Sequence, residues 1–129
     1  MHVFHIVLLL AAPLLLDNQG ELRKLSAQRG QMTSFSLKIY SVSPVNVTLE
    51  SASQNTQRTL TYTTHDNQTR VTLKVFDSDV EADGVTVVVS FTISSQEEFG
   101  EYQLVISNNI MPAVRRIIEI VSEGDIFYL

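Results

Sequence analysis

The chain contains no cysteine, and this absence excludes several classes of protein. Without cysteine it has no disulfide framework, no thiolate nucleophile and no cysteine-ligated zinc site. The compartment stays open, because a secreted domain can lack disulfides. Basic residues are also few, since nine against fourteen acidic residues give a net charge of −5. Only Arg23-Lys24 and Arg115-Arg116 form basic pairs. We therefore expect neither nucleic-acid binding nor attraction to an anionic membrane surface.

Long apolar runs are absent except near the start of the chain, where Val3 to Leu16 is interrupted only by His5 and Pro13. This run is short for a membrane span of about 20 residues but suits the apolar region of a secretory signal. We therefore predict a signal peptide at residues 1–20, although no lysine, arginine or clear cleavage site accompanies it. The alternative is a buried N-terminal strand or helix. No later run approaches the length of a span, so we expect no membrane span.

Alternation of apolar and polar residues dominates the chain from Thr33 onward, and the β-branched residues that favour strands are abundant. The alternating apolar residues are Phe35, Leu37 and Ile39; Val45, Val47 and Leu49; Leu60 and Tyr62; Val71, Leu73 and Val75; Val85, Val87, Val89, Phe91 and Ile93; Tyr102, Leu104 and Ile106; and Val114, Ile118 and Ile120. This pattern predicts an all-β, antiparallel Greek-key sandwich of seven to eight strands. We expect one domain over residues 21–124, followed by a tail at 125–129 whose abrupt end is consistent with a truncated chain.

Turn-forming residues separate the alternating stretches and predict where the chain reverses. The predicted turns are at Ser43-Pro44, Ser51 to Asn55, Asp66-Asn67, Asp83-Gly84, Phe99-Gly100 and Asn108-Asn109. The segment from Glu21 to Gln28 is compatible with a short helix or with an irregular edge strand.

The stretch E-E-F-G-E-Y-Q-L-V-I-S-N at residues 97–108 carries a family resemblance. Glu98, Gly100, Tyr102, Leu104 and Asn108 occupy the spacing acidic-x-Gly-x-Tyr-x-Cys-x-x-x-Asn of the F strand in immunoglobulin-like domains. The chain thus resembles an immunoglobulin-like domain of the intermediate set, with leucine at the cysteine position. The resemblance implies that Gly100 allows a tight turn and that Tyr102 hydrogen-bonds the backbone of the same corner.

The same resemblance places Ile39 where strand B carries the first cysteine of the family, so both cysteines are replaced by aliphatic residues. The tryptophan of strand C is also missing, and Leu49 or Val47 occupies its region. An aliphatic contact between Ile39 and Leu104 would then replace the disulfide in the core. The competing fold is a fibronectin type III sandwich, which is naturally free of disulfides but usually carries a tryptophan in its B strand.

Two sequons, at Asn46-Val47-Thr48 and Asn67-Gln68-Thr69, match the acceptor pattern for N-glycosylation. Such triplets also occur by chance. Because a signal peptide is predicted, we expect glycosylation at Asn46 or Asn67, with Asn67 the better candidate in its polar stretch.

Catalytic and metal-binding patterns are weak. The acidic segment Asp77 to Gly84 begins like a calcium loop, but Ser90 stands where the last ligand should be and a strand follows. We interpret this segment as a surface loop. His65-Asp66 offers a base and a carboxylate, but the sequence supplies no nucleophile beside them. We predict no enzyme activity, no metal site and no cofactor.

The F and G strands suggest a protein-binding face. If Tyr102 and Ile118 point inward, the neighbours that alternate with them point outward. The predicted face contains Gln103, Val105, Ser107, Arg115, Ile117, Glu119 and Val121, with an exposed apolar patch formed by Val105, Ile117 and Val121. Together with the resemblance, this face implies a secreted or cell-surface recognition module with a protein partner. A structural spacer domain of a larger protein is the alternative.

Overall fold

The structure is a computed structural model that describes residues 13–16, 24–52 and 60–123. These residues form eight strands and a single 3-10 turn at Gln96–Glu98. The strands are β1 (Leu14–Leu15), β2 (Lys24–Ala27), β3 (Met32–Tyr40), β4 (Asn46–Ser51), β5 (Thr61–Val75), β6 (Ser78–Thr92), β7 (Gly100–Ser107) and β8 (Val114–Ser122). The predicted all-β sandwich of seven to eight strands is confirmed.

The eight strands form two four-stranded sheets, in the orders β1-β3-β6-β5 and β2-β8-β7-β4. All pairs are antiparallel except β2 with β8, which run parallel. The two short strands β1 and β2 follow each other in the chain but belong to opposite sheets. Strand β1 lies within the predicted signal peptide, and Leu15 is buried beside β3. The prediction of a signal at residues 1–20 remains a prediction, because most of that segment lies outside the described residues.

The core lies between the two sheets and is built from aliphatic residues, with Phe91 and Tyr102 as its largest fully buried side chains. Alternation along each strand sends every second side chain into this layer. Ile39 and Leu104 are both fully buried, on opposite sheets, in one core cluster. The predicted aliphatic replacement of the disulfide therefore agrees with the burial of both residues.

The corner between β6 and β7 has the geometry that the sequence predicts. Gly100 has a φ of 141°, a conformation that favours glycine. The hydroxyl of Tyr102 donates a hydrogen bond to the carbonyl of Glu98 at 2.5 Å. The carboxylate of Glu98 in turn accepts a hydrogen bond from the backbone N–H of Ser94. These two bonds fix the connection where the chain crosses from one sheet to the other.

A second contact links the two sheets through their edge strands β5 and β4. Tyr62 on β5 accepts a hydrogen bond at its hydroxyl from the backbone N–H of Leu49 on β4, at 3.2 Å. Leu49 and Val47 are both buried, in the region where the resemblance would place a tryptophan. The phenol ring of Tyr62 thus supplies aromatic bulk near this position from the opposite sheet, which the sequence alone did not indicate.

Candidate functional site

The longest feature of the fold is the β5–β6 hairpin, in which all fifteen residues of each strand are paired. Strand β3 pairs with β6 only from Val85 to Thr92. The remainder of the hairpin, Thr69 to Gly84, therefore extends past the end of β3, and we call it the arm. Seven residues of strand on each side give the arm a length of about 23 Å.

Two predicted turns fall inside this hairpin, and both predictions are wrong. Asp66-Asn67 lies in the interior of β5, and Asp83-Gly84 lies in the interior of β6. The true turn is Phe76-Asp77, where both residues have positive φ values of 50° and 66°. That conformation belongs to a two-residue turn that usually carries asparagine and glycine, which explains why the sequence did not reveal it.

One face of the arm is charged. Arg70 forms ion pairs with Asp83 at 2.8 Å and with Glu81 at 3.5 Å, and Lys74 pairs with Asp79 at 3.2 Å. The hydrogen bond to Asp83 is the main reason that the pKa of Arg70 is raised above its ordinary value, and Glu81 adds to the shift. Because all of these groups are exposed, each pair contributes little to stability. On this face the basic residues therefore lie on β5 and the acidic residues lie on β6.

The opposite face of the arm is apolar. Val71 and Leu73 are buried, although they lie outside the main core cluster, and Val80 on the facing strand is 43% exposed. Gly84 lies on the same face, and a larger residue does not fit at this position. A Cβ there would lie 2.7 Å from Cγ1 of Val71 and 2.8 Å from the carbonyl oxygen of Ile39. Glycine at this position thus reflects close packing and not a turn. The acidic segment Asp77 to Gly84, interpreted as a loop, is mainly strand β6.

An open cleft of about 550 Å³ lies between the root of the arm and the loop that joins β3 to β4. Its lining includes apolar side chains from the β1-β3-β6-β5 sheet and from the β3–β4 loop, with polar groups from the hairpin and the same loop. The lining residues are Ile39, Ser41, Val42, Ser43, Pro44, Val45, Asp66, Asn67, Gln68, Asp83, Gly84 and Val85. With two carboxylates and several hydroxyl and amide groups, the cleft is suited to polar side chains of a partner.

The loops at this end of the sandwich are held together by Asn108, the one polar residue buried in the described part of the chain. Its Nδ2 donates to Oγ of Ser41, and its Oδ1 accepts from the backbone N–H groups of Ile110 and Met111. Its carbonyl accepts from the hydroxyl of Ser43. The β3–β4 and β7–β8 loops are thus joined beside the arm, and we call this end of the molecule the loop end.

On the predicted protein-binding face of β7 and β8, Val105 is buried, although it was expected to be exposed. Val105 is only 7% exposed, so the prediction of an exposed patch centred on it is wrong. Val105 lies between Thr48 of β4 and Arg115 of β8 in the sheet. The guanidinium of Arg115 reaches across β7 to Gln103 at 2.9 Å and to Glu50 at 3.8 Å. Long side chains on neighbouring strands therefore cover the central valine.

The other residues of that face vary in exposure. Ile117 is 48% exposed, and Arg115 and Glu119 are also exposed, whereas Gln103, Ser107 and Val121 are half-buried. The face is therefore mainly polar, with Ile117 as its apolar element. Whether it binds a protein remains a prediction.

Both sequon asparagines are exposed. Asn46 is the first residue of β4, and Asn67 lies in the middle of β5 opposite Thr86. The placement of Asn67 in a turn was wrong, since its neighbours on both sides belong to the strand. An exposed side chain on a border strand leaves room for a glycan, and modification of either site remains a prediction.

His65 and Asp66 do not form a reactive pair. They are consecutive residues of β5, so their side chains point to opposite faces of the sheet. Among the described residues, no group of three histidine, aspartate or glutamate side chains is placed to hold a metal ion.

Comparison with known proteins does not assign the chain to a family. No helix in the described residues is long and apolar enough to cross a membrane. No protein-family model matches the chain, and no curated protein is significantly similar to it.

Proposed function

We propose that this chain is an extracellular immunoglobulin-like recognition module that binds a protein partner through its loop end and catalyses no reaction. The observation that carries the proposal is the arm, which projects about 23 Å past β3 beside two joined loops. A ribbon whose charged face is exposed adds surface that the core does not need. Loops and projections on a rigid scaffold are where binding residues concentrate.

The strand order supports the immunoglobulin-like part of the proposal. In that fold one sheet has the order A-B-E-D and the other contains C, F and G. With β3, β6 and β5 taken as B, E and D, and β4, β7 and β8 as C, F and G, both observed orders agree. The hydrogen bond from Tyr102 in β7 back to the carbonyl of Glu98 supports the proposal as well, because such domains carry a tyrosine corner of this kind.

The extracellular part of the proposal is supported by the apolar N-terminal run and by two exposed sequon asparagines. It is tested by expressing the whole chain in cultured mammalian cells and analysing the medium by mass spectrometry. Secretion with a glycan on Asn46 or Asn67 is the expected result. Retention of the chain inside the cells without glycosylation would contradict it.

Recognition is tested with fluorescent beads coated with the secreted protein and incubated with a panel of cell lines. The decisive variant replaces residues 70–83 with Asn-Gly, so that Thr69 and Gly84, which already face each other as a hydrogen-bonded pair, flank a two-residue turn. We expect this armless variant to fold and to lose cell binding. Met32→Lys, an exposed position at the end of β3 opposite to the arm, is the matched surface control and should still bind. Equal binding by the armless variant and the full chain would show that the arm is not the recognition element, and no binding by either would favour a spacer domain.

A further inference from the structure

The outer edge of β5 is the longest unpaired strand edge in the part of the chain that the structure describes. Strand β5 ends the order β1-β3-β6-β5, and no described strand lies beyond it. It runs for fifteen residues without proline and without a break in its register with β6. A long, regular edge of this kind is a template for pairing with another strand, and proteins usually block such edges.

The turn at the tip of the arm determines which peptide groups face this edge. Val75 and Ser78 flank the two-residue turn and exchange both of their hydrogen bonds. Because bonded and non-bonded pairs alternate, the odd-numbered residues of β5 bond to β6. The N–H and C=O groups of the even-numbered residues therefore point away from the sheet. These residues are Tyr62, Thr64, Asp66, Gln68, Arg70, Thr72 and Lys74.

This edge is complementary to itself in one register. When two copies of β5 lie antiparallel with Gln68 opposite Gln68, every outward-facing residue meets an outward-facing residue of the other copy. Asp66 then lies opposite Arg70 of the other copy, and this charge pair occurs twice. Thr64 faces Thr72, and Tyr62 faces Lys74, so no two like charges are opposed. The whole edge from residue 62 to residue 74 is used.

We propose that two copies of this chain associate through their β5 edges in this register, joining two four-stranded sheets into one continuous sheet of eight strands. The inference rests on the proposed recognition function and deepens it, because it names a second copy of the chain as the partner. A twofold contact of this kind is self-complementary and closes at two copies. It also satisfies both backbone groups of seven residues on each chain.

The side chains around the axis permit this contact. Asn67 is odd-numbered, so its side chain points to the outer face of the sheet and a glycan there leaves the edge groups uncovered. Arg70 already binds Asp83 and Glu81, but its guanidinium has five N–H donors and can bind Asp66 of the other copy as well. Asp66 points to the same face as Arg70, since both are even-numbered.

Gln68→Pro is the sharpest test, because proline removes only an N–H that faces outward. The bonds between β5 and β6 remain, and proline is tolerated on a strand edge in this orientation. In sedimentation velocity across a concentration series, we expect dimers for the unmodified chain and only monomers for Gln68→Pro. Because proline at residue 68 also removes the Asn67 sequon, the matched control is the double variant Asn67→Gln, Gln68→Thr, which likewise lacks the sequon but retains the N–H and should dimerise.

The register is tested by oxidative cross-linking of introduced cysteines. Because the chain has no native cysteine, only the introduced residues can form a disulfide. In the proposed pairing the two Gln68 Cα atoms are about 5.5 Å apart, within reach of a disulfide. Thr64 lies opposite Thr72, so the two Thr64 Cα atoms are about 27 Å apart. Gln68→Cys should therefore cross-link rapidly and Thr64→Cys should not, while a mixture of Thr64→Cys and Thr72→Cys chains should form heterodimers.

Three results would overturn the proposal: a monomer at every concentration, undiminished dimerisation of Gln68→Pro, or equal cross-linking of Gln68→Cys and Thr64→Cys. Cell binding by Gln68→Pro separates this inference from the proposed function. If the chain is monomeric but the beads still bind cells through the arm, recognition stands and self-pairing fails. If dimers form in the predicted register but no cell line binds the beads, including one that displays the same chain, self-pairing stands and recognition fails.

Discussion

The carbonyl oxygen of Ile39 lies only 2.8 Å from the place where a Cβ on Gly84 would stand. The contact joins the end of β3 to the point where the arm begins. A side chain at residue 84 would also meet Val71 across the hairpin at 2.7 Å. The root of the arm is therefore packed closely against the sandwich, and glycine is the only residue that fits there without movement.

Gly84→Ala should lower the free energy of unfolding by about 1–3 kcal/mol, because overpacking forces the backbone or its neighbours to shift. Urea denaturation measures the change. Adding Val71→Ala relieves the side-chain clash but not the clash with the Ile39 carbonyl. Because Val71→Ala also removes buried methyl groups, the relief should appear as a loss in the double variant that is smaller than the sum of the two single losses, and a Gly84→Ala protein as stable as the original would contradict the packing argument.

Tyr102→Phe removes the hydroxyl that binds the Glu98 carbonyl and leaves the buried ring in place. We expect a loss of about 1 kcal/mol in the free energy of unfolding, the typical net value of such a bond. Tyr40→Phe is the matched control, since its hydroxyl has no hydrogen-bond partner among the described residues. Equal effects of the two substitutions on the urea midpoint would show that the corner bond contributes nothing specific.

Leu104→Ala should cost about 2–5 kcal/mol, because it leaves a cavity at a fully buried position of the core. Ile39→Val, on the opposite sheet, removes only one methylene and should cost about 0.5–1.5 kcal/mol. Both are measured by thermal and urea denaturation, with and without reducing agent. Reducing agent should leave every midpoint unchanged, since the chain has no cysteine. A loss below about 1 kcal/mol for Leu104→Ala would contradict its place in the core.

Val105→Lys and Ile117→Lys should differ in their effects on stability. Val105 is buried under Arg115, so lysine there should lower the free energy of unfolding by about 1–3 kcal/mol. Ile117 is half exposed, so lysine there should change it by less than about 0.5 kcal/mol. Circular dichroism during heating compares the two. Ile117→Lys is therefore the variant with which to test binding by the β7–β8 face, and equal destabilisation by both would place Ile117 in a buried setting.

The sandwich could be predicted because its signals are local. Alternation with period two marked the core residues of β3, β7 and β8, and the spacing of Gly100, Tyr102 and Asn108 marked the corner and the following loop. Each of these depends on residues close together in the chain. The burial of Ile39 and Leu104 could also be predicted, because each position is defined by the alternation of its own strand.

The arm could not be predicted, because its register is set by pairing between distant residues. Asp66-Asn67 and Asp83-Gly84 have the composition of turns. The extended β5–β6 ladder outweighs this preference by pairing both segments within strands. Phe76-Asp77 lacks the usual turn composition, so nothing local identified the tip. The burial of Val105 was missed for a related reason, since it depends on the reach of Arg115 from the next strand.

Because the register of β5 with β6 is continuous, changes in the sequence can lengthen or shorten the arm without altering its pairing. Removing two cross-strand pairs near the tip would shorten the arm by about 7 Å and keep every remaining side chain on its own face. Removing a residue from one strand alone would exchange the charged and apolar faces along part of that strand. Insertions and deletions in this region should therefore be tolerated in matched sets on both strands, so that the reach of the domain can change while its core stays the same.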